Sequence, residues 1–314
     1  MAKGSLFVGS GSGKVGNLVL ANTKQGQVTR AYQPNVTNPK SKAQMLQRAR
    51  FACAVKFFKQ ATANFFKFAY EDKTKVESDY NAFMRHNIMK AIPMAREFYE
   101  NVSVPALGNI FVMSSGRLAN PLELSFVANT AAGDNKPDEM PQVTLPAAAA
   151  DSTIGAISKV LVDAGLQEGD IITLVLISSA VELKDLEDLT AFDDKPQPPM
   201  WTIAQFVVDS ASTTALTDVQ AIGEFATDGK VALTLNEGKT AFTGVATKGA
   251  ALFGSVVVTR KLEDGLYASN SYLQGDTKGK ALIASLTQQA TIEKALVSWG
   301  SKGSAILKGS VANK

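Results

Sequence analysis

The sequence predicts an α+β fold: an extended basic arm and helices, then a mainly antiparallel β-sandwich-like domain with one inserted helix, then a C-terminal helical and extended tail. Three observations predict it. Apolar residues recur at helical spacing between about 40 and 91; from residue 106 onward β-branched runs alternate with turn residues; and 314 residues at 45% hydrophobic content are enough to bury a sizeable core.

Residues 1–37 read as an extended arm or glycine-rich hairpin. Gly9, Gly11, Gly13 and Gly16 surround Lys14, Val15 and Leu18 to Leu20 suit one short strand, a turn falls near Lys24-Gln25-Gly26, and residues 27–32 suit a second strand. Such a ribbon buries little of its own surface and gains order by lying on something else. Asn38-Pro39 then opens a helix expected to reach about residue 70, since Asn caps well and Pro at the first helical position forfeits no hydrogen bond. At about 100° per residue, Phe51, Ala54, Val55, Phe57, Phe58, Ala61, Phe65 and Phe68 share one face, and Arg48, Lys56, Lys59 and Lys67 gather opposite. Further helices are expected over residues 75–91 and 94–99, the first ending before Pro93.

Candidate strands cover residues 109–113, 122–128, 171–178, 201–208, 230–235, 254–260 and 267–273, with a helix at 153–164 stopped by Gly165. Residues 129–151, rich in Ala, Pro, Asp and Gly, read as a loop or internal linker. Helical character returns over 281–299, before a Gly-Ser-Lys stretch and a final apolar-polar run. The expected segments are therefore 1–37 (arm or hairpin), 38–105 (helical), 106–275 (β domain) and 276–314 (C-terminal helix and tail).

Charge is divided unevenly along this plan. The first 70 residues hold 11 Lys and Arg and no acid, whereas the other 21 basic residues share the remainder with all 29 acids, a net charge there of −8. A run of one sign finds its compensation in solvent or in a partner. An ordinary exposed helix intersperses Glu four residues from Lys, and residues 38–70 contain none. Plain solvation and partner contact both stay open for this face, and the residues that would make the contact are Lys14, Arg30, Lys40, Lys42, Arg48, Lys56 and Lys59.

Catalytic motifs are scarce. Gly9 to Lys14 imitates a phosphate loop but has Val8 where the first Gly belongs and Val15 where Ser or Thr belongs. His86 is the only histidine and Cys53 the only cysteine; they lie 33 residues apart in no family signature, and each reads as structural. The acids between 182 and 194 lack the alternating ligands and bend glycine of a calcium loop and read as a solvated loop, or as the receiver of a neighbour's basic arm. No apolar run is long enough to span a bilayer, so the expectation is a soluble, non-enzymatic protein with no catalytic residue, metal, cofactor, membrane contact or small-molecule substrate.

Two patches carry a resemblance. Ser12-Gly13-Lys14-Val15-Gly16-Asn17-Leu18-Val19, followed by Asn38-Pro39-Lys40-Ser41, Gln44, Gln47-Arg48 and Phe51, resembles the N-terminal signature of proteins of tailed bacteriophages and prophages. It is similar above all to a family common in Bacteroidetes and their phages. Val256 to Arg260 and Ser269 to Tyr272 resemble the C-terminal strand pair of that group. The resemblance implies a phage-encoded structural protein: a capsid-associated, auxiliary or head-tail component of a virion, made in the bacterial cytoplasm and assembling through extended termini with copies of itself, other virion proteins and packaged nucleic acid. The alternative is a sequence-blind nucleic-acid binder using residues 1–70.

Overall fold

The computed structural model describes residues 3–5, 10–23, 26–35, 40–96, 109–129, 138–179, 200–223, 226–227, 230–231, 233–244, 251–263 and 265–300. Four short strands come first: β1 (Lys3–Ser5), β2 (Ser10–Val15), β3 (Leu18–Thr23) and β4 (Gly26–Ala31). Helix α1 (Lys42–Ala63), β5 (Ala69–Tyr70), α2 (Asp79–Asn87), β6 (Val112–Ser115), β7 (Glu123–Ala128) and β8 (Glu139–Thr144) follow. Then come α3 (Ile154–Asp163), β9 (Ile171–Ser179), β10 (Met200–Val207), β11 (Ala221–Gly223), β12 (Ala226–Thr227), β13 (Lys230–Val231), β14 (Leu233–Leu235) and β15 (Ala241–Gly244). The described chain closes with β16 (Ala251–Leu262), β17 (Gly265–Ala268), β18 (Ser271–Tyr272), β19 (Gln274–Gly275), α4 (Thr277–Leu286) and α5 (Gln289–Gly300). The fold is α+β, and mostly β.

The central sheet runs β11-β10-β9-β16-β17, with β19 also paired to β16. Its three inner strands are antiparallel and closely in register, Trp201 lying opposite Ile177 and Phe253 opposite the same residue from the other side. Side chains alternate across a strand, so each inner strand serves two cores. Val175, Ile177, Trp201, Ile203, Phe253 and Val257 point into one, shared with Phe57 of α1, Phe83 of α2 and Leu282 of α4. Ile172, Leu174, Leu176, Phe206, Leu252, Val256 and Val258 point into the other, shared with α3 and with the second sheet, β14-β15-β8-β7. Burial on both faces is why residues 171–178 read as a continuous apolar run.

Several boundaries differ from the sequence reading. Helix α1 is capped by Ser41, whose Oγ accepts from the Gln44 N–H at 3.4 Å, and Lys40 before it has a left-handed φ of 51°. Residues 36–39 lie outside the described residues. The helix also stops early: the Phe66 N–H reaches Ala61 O and the Phe65 N–H reaches Thr62 O, a Schellman closure with Phe65 at φ 64° where glycine is usual. Residues 66–70 therefore leave the helix and end in β5. Only residues 79–87 of the expected 75–91 form a helix; of the expected 94–99, Met94 and Ala95 are non-helical, Arg96 is helical and residues 97–99 lie outside the described residues.

Part of the expected linker is a strand. β8 lies between β7 and β15, and its Pro141 sits beyond the last residue that β15 pairs, Gln142, so the missing N–H interrupts no ladder. The expected 281–299 helix is two, α4 and α5, broken where the Thr287 hydroxyl bonds back to Ile283 O and Ala284 O. These helices are not appended loosely: Leu282 and Leu286 enter the first core and Trp299 Nε1 donates to Met94 O at 2.6 Å. The final run, residues 301–314, and the acidic stretch 182–194 lie outside the described residues.

Two predictions follow from the packing. A methyl group on Gly155 would sit 2.3 Å from the backbone oxygen of Ser212. Gly155→Ala should therefore lower the unfolding free energy by about 1–3 kcal/mol, despite better helix propensity, as read from the urea midpoint. The second concerns Asp276, buried at the start of α4, where Oδ1 accepts from Gly279 N and Oδ2 from Leu252 N. Burial, only partly offset by those N–H groups, raises its pKa to about 6. A carboxyl with a raised folded pKa contributes stability below its unfolded pKa of about 3.9 and loses it as pH rises through 6. Denaturant titrations at pH 4 and pH 7 should show the wild type losing on the order of 2 kcal/mol relative to Asp276→Asn over that interval.

Candidate interaction surface

The N-terminal strands form their own antiparallel meander, β1-β2-β3-β4. Gly16, at φ 57°, and Asn17 make a two-residue turn that sets Val15 opposite Leu18. The glycine cluster thus lies mostly within a strand and not in a turn, and Val15 and Leu18 belong to two strands where one was expected. This register decides the faces. Lys14, Val19 and Arg30 form one row across β2, β3 and β4, and Val28 and Tyr32 lie two residues either side of Arg30 on the same face. Lys14 Nζ stands 3.6 Å from the centroid of the Tyr32 ring, a cation–π contact worth about 0.5–1 kcal/mol at an exposed site.

Every residue of β4 is exposed, Val28 by 50%. Its other edge pairs with β3, and the Tyr32 N–H continues that pairing to Asn17 O at 2.7 Å. By antiparallel alternation the backbone groups of Gln27, Thr29 and Ala31 point away from β3. Among the described residues no strand pairs with this edge, so the sheet offers it beside a cationic, partly aromatic face.

The remaining candidate cations divide. Arg48 and Lys59 are exposed on α1, along the stripe that also carries Phe51, itself 48% exposed. Phe65, expected in the core, is 72% exposed because the left-handed helix closure turns it outward. The buried side of α1 follows strict fourth-residue spacing, Met45, Ala49, Cys53, Phe57 and Ala61, joined by Ala54. Lys56 sits at the margin of that side, half-buried, and desolvation lowers its pKa. Lys42 pairs with Glu293 of α5 at 3.7 Å, both side chains about half exposed. Lys40 is exposed just before the cap. Among the described residues no carboxylate forms an ion pair with Lys14, Arg30, Lys40, Arg48 or Lys59. The structure thus joins Lys14 to Arg30 on one sheet face and Arg48 to Lys59 on one helix stripe. The sequence places Val28 and Tyr32 on the second strand, and their spacing of two around Arg30 is what puts them on the same face, a relation that the candidate cations alone do not reveal.

The titratable groups elsewhere are tied into the fold. His86 Nε2 and Asp72 Oδ1 share a hydrogen bond at 3.0 Å, and the imidazole stacks on Tyr70 at 4.5 Å. Arg85 bonds to Asp72 and holds that carboxyl down at about 2, against the opposing pull of partial burial. Cys53 lies in the first core, where burial pushes its thiol up to about 12 and Asn109 Nδ2 donates to its sulfur at 3.3 Å. Asp170 accepts two bonds from Arg260, at 2.7 and 2.8 Å, fastening β16 to the start of β9. Among the described residues no group of three or more His, Cys, Asp and Glu side chains is placed to hold a metal ion, and no helix is long and apolar enough to cross a membrane.

No curated protein and no solved structure matches this chain. Residues 10–140 match the model of a family of unknown function, DUF6266, so the similarity spans the β2-β3-β4 meander, α1, α2 and the strands through the start of β8.

Proposed function

We propose that this chain is a non-enzymatic structural component of a bacteriophage virion, capsid-associated or head-tail, whose doubly covered sheet forms the body and whose N-terminal sheet docks on neighbours. The observation that carries this reading is the acid-free N-terminal sheet. It displays Lys14, Arg30, Tyr32 and Val28 on one face and, among the described residues, an unpaired edge at β4, while neither hydrophobic cluster includes a described residue of the meander, whose buried Leu20 joins neither. A segment that adds nothing to either cluster and exposes apolar and cationic groups together suits contact with a partner. The resemblance of residues 12–19 and 38–51 to phage-encoded proteins supplies the class of assembly.

A second reading is favoured by one observation, the exposure of Phe51 and Phe65 on or just beyond the helix that presents Arg48 and Lys59. Aromatic faces beside cations suit stacked bases and phosphates, which makes single-stranded nucleic acid the alternative partner.

Two measurements separate these readings. Particles from the encoding phage or prophage should contain the chain by mass spectrometry, and a version lacking residues 1–35 should keep its cooperative thermal transition yet be missing from them. Normal incorporation of the shortened chain overturns the docking role. If nucleic acid is the partner, the affinity for a single-stranded oligonucleotide should fall with a log–log salt slope of about 0.7 per phosphate contacted, and Phe51→Ala should cost about 1–3 kcal/mol.

A further inference from the structure

We infer that the N-terminal sheet docks on the body of a second copy of this chain, head to tail, and not on the same sheet of its neighbour. This rests on the assembly reading above and names the partner of that surface. Charge supplies the first argument. Residues 1–70 carry 11 cations and no acid, and the rest of the same chain sums to −8. Copies of this one polypeptide therefore contain both halves of a complementary pair.

The body keeps countercharge available. Glu71, Asp72, Glu77, Asp138 and Asp170 are engaged by Arg117, Arg85, Lys278 and Arg260 of the body itself. Glu123, Asp163, Glu237 and Glu263 are exposed and form no ion pair among the described residues.

A symmetric edge-to-edge pairing gathers charge of one sign. Pairing β4 with β4 of another copy about a two-fold axis would satisfy the outward groups of Gln27, Thr29 and Ala31. That register sets Arg30 opposite Val28 of the other copy, with the two Arg30 side chains on a diagonal about 7–8 Å apart. It also gathers two copies of Lys14 and Arg30 on one continuous sheet face with no carboxylate in either strand set, a concentration of one sign that opposes association. A sheet-to-body contact avoids this and has a donor and an acceptor surface on each molecule, so association continues past a dimer into a ring or an open chain.

The test uses the purified full-length protein after nuclease treatment, with sedimentation velocity at several protein and salt concentrations. Wild type should form species larger than a dimer at low salt and dissociate as salt rises. Lys14→Glu with Arg30→Glu should associate with itself at least about tenfold more weakly. The same doubly substituted chain, fluorescently labelled, should still sediment with the wild type, because its acceptor surface is intact. Circular dichroism confirms its fold, and Lys14→Gln with Arg30→Gln, which adds no acid, should weaken association in the same direction. A wild type that stays monomeric, one that stops at a dimer and excludes the labelled variant, or one that associates only when nucleic acid is restored would each overturn the inference. Particle incorporation is not involved, so failure of the virion reading and failure of this one are distinguishable.

Discussion

The constraint on which the rest of the structure depends is that β9, β10 and β16 must be covered on both faces. Few polar side chains occupy these strands, so each needs one apolar layer from the helices and another from α3 and the second sheet. Phe57 shows how tightly the helical layer is fixed: its ring lies 4.5 Å from that of Phe111 and 5.5 Å from that of Trp201, with Phe83 and Phe68 around it. Removing a buried ring of this kind costs about 3–5 kcal/mol, a large fraction of what a typical domain has. The helices that look peripheral in chain order, α1 near one end and α4 near the other, share one core because both cover the same sheet face.

Polar groups that would be costly in these cores act as fasteners at their margins. Asn87 donates to Val112 O and to the Tyr70 hydroxyl and accepts from Val112 N, so α2, β5 and β6 are fixed by one side chain. The patch Ser269 to Tyr272 works similarly: Ser269 Oγ accepts from Val258 N, and its carbonyl accepts from Ser114 Oγ at 2.6 Å. In this chain the second patch is thus a buried join between β16 and β6. The candidate interaction surface lies elsewhere, on the N-terminal sheet, which adds no residue to either of these clusters.

The two-faced strands were legible because eight or nine successive apolar or small residues can only be satisfied by burial on both sides. Helix α3 was legible from Thr153 and Gly165, which mark its ends chemically. The end of α1 was not, because its left-handed closing residue is Phe65, a side chain that gives no warning of a stop. This bears on the site: a helix continuing past Ala63 would carry Phe65 inward, whereas its left-handed closure puts it in solvent. β8 was hidden by Pro141, an acceptable residue because the pairing of β15 with this strand ends one position earlier, at Gln142. Of the candidate cations, the pairing of Lys14 with Arg30 depended on a two-residue turn at Gly16-Asn17 that composition alone left undecided. The fate of Lys42 depended on Glu293, 251 positions away.

The spacing Met45, Ala49, Cys53, Phe57 and Ala61 ties α1 to the interior, so its sequence must answer to the packing beneath it. The meander before it has no such obligation. Under the proposed docking, substitutions there leave both cores intact and register only in the surface it meets, so that segment would be free to change in step with its counterpart while the scaffold behind it stays the same.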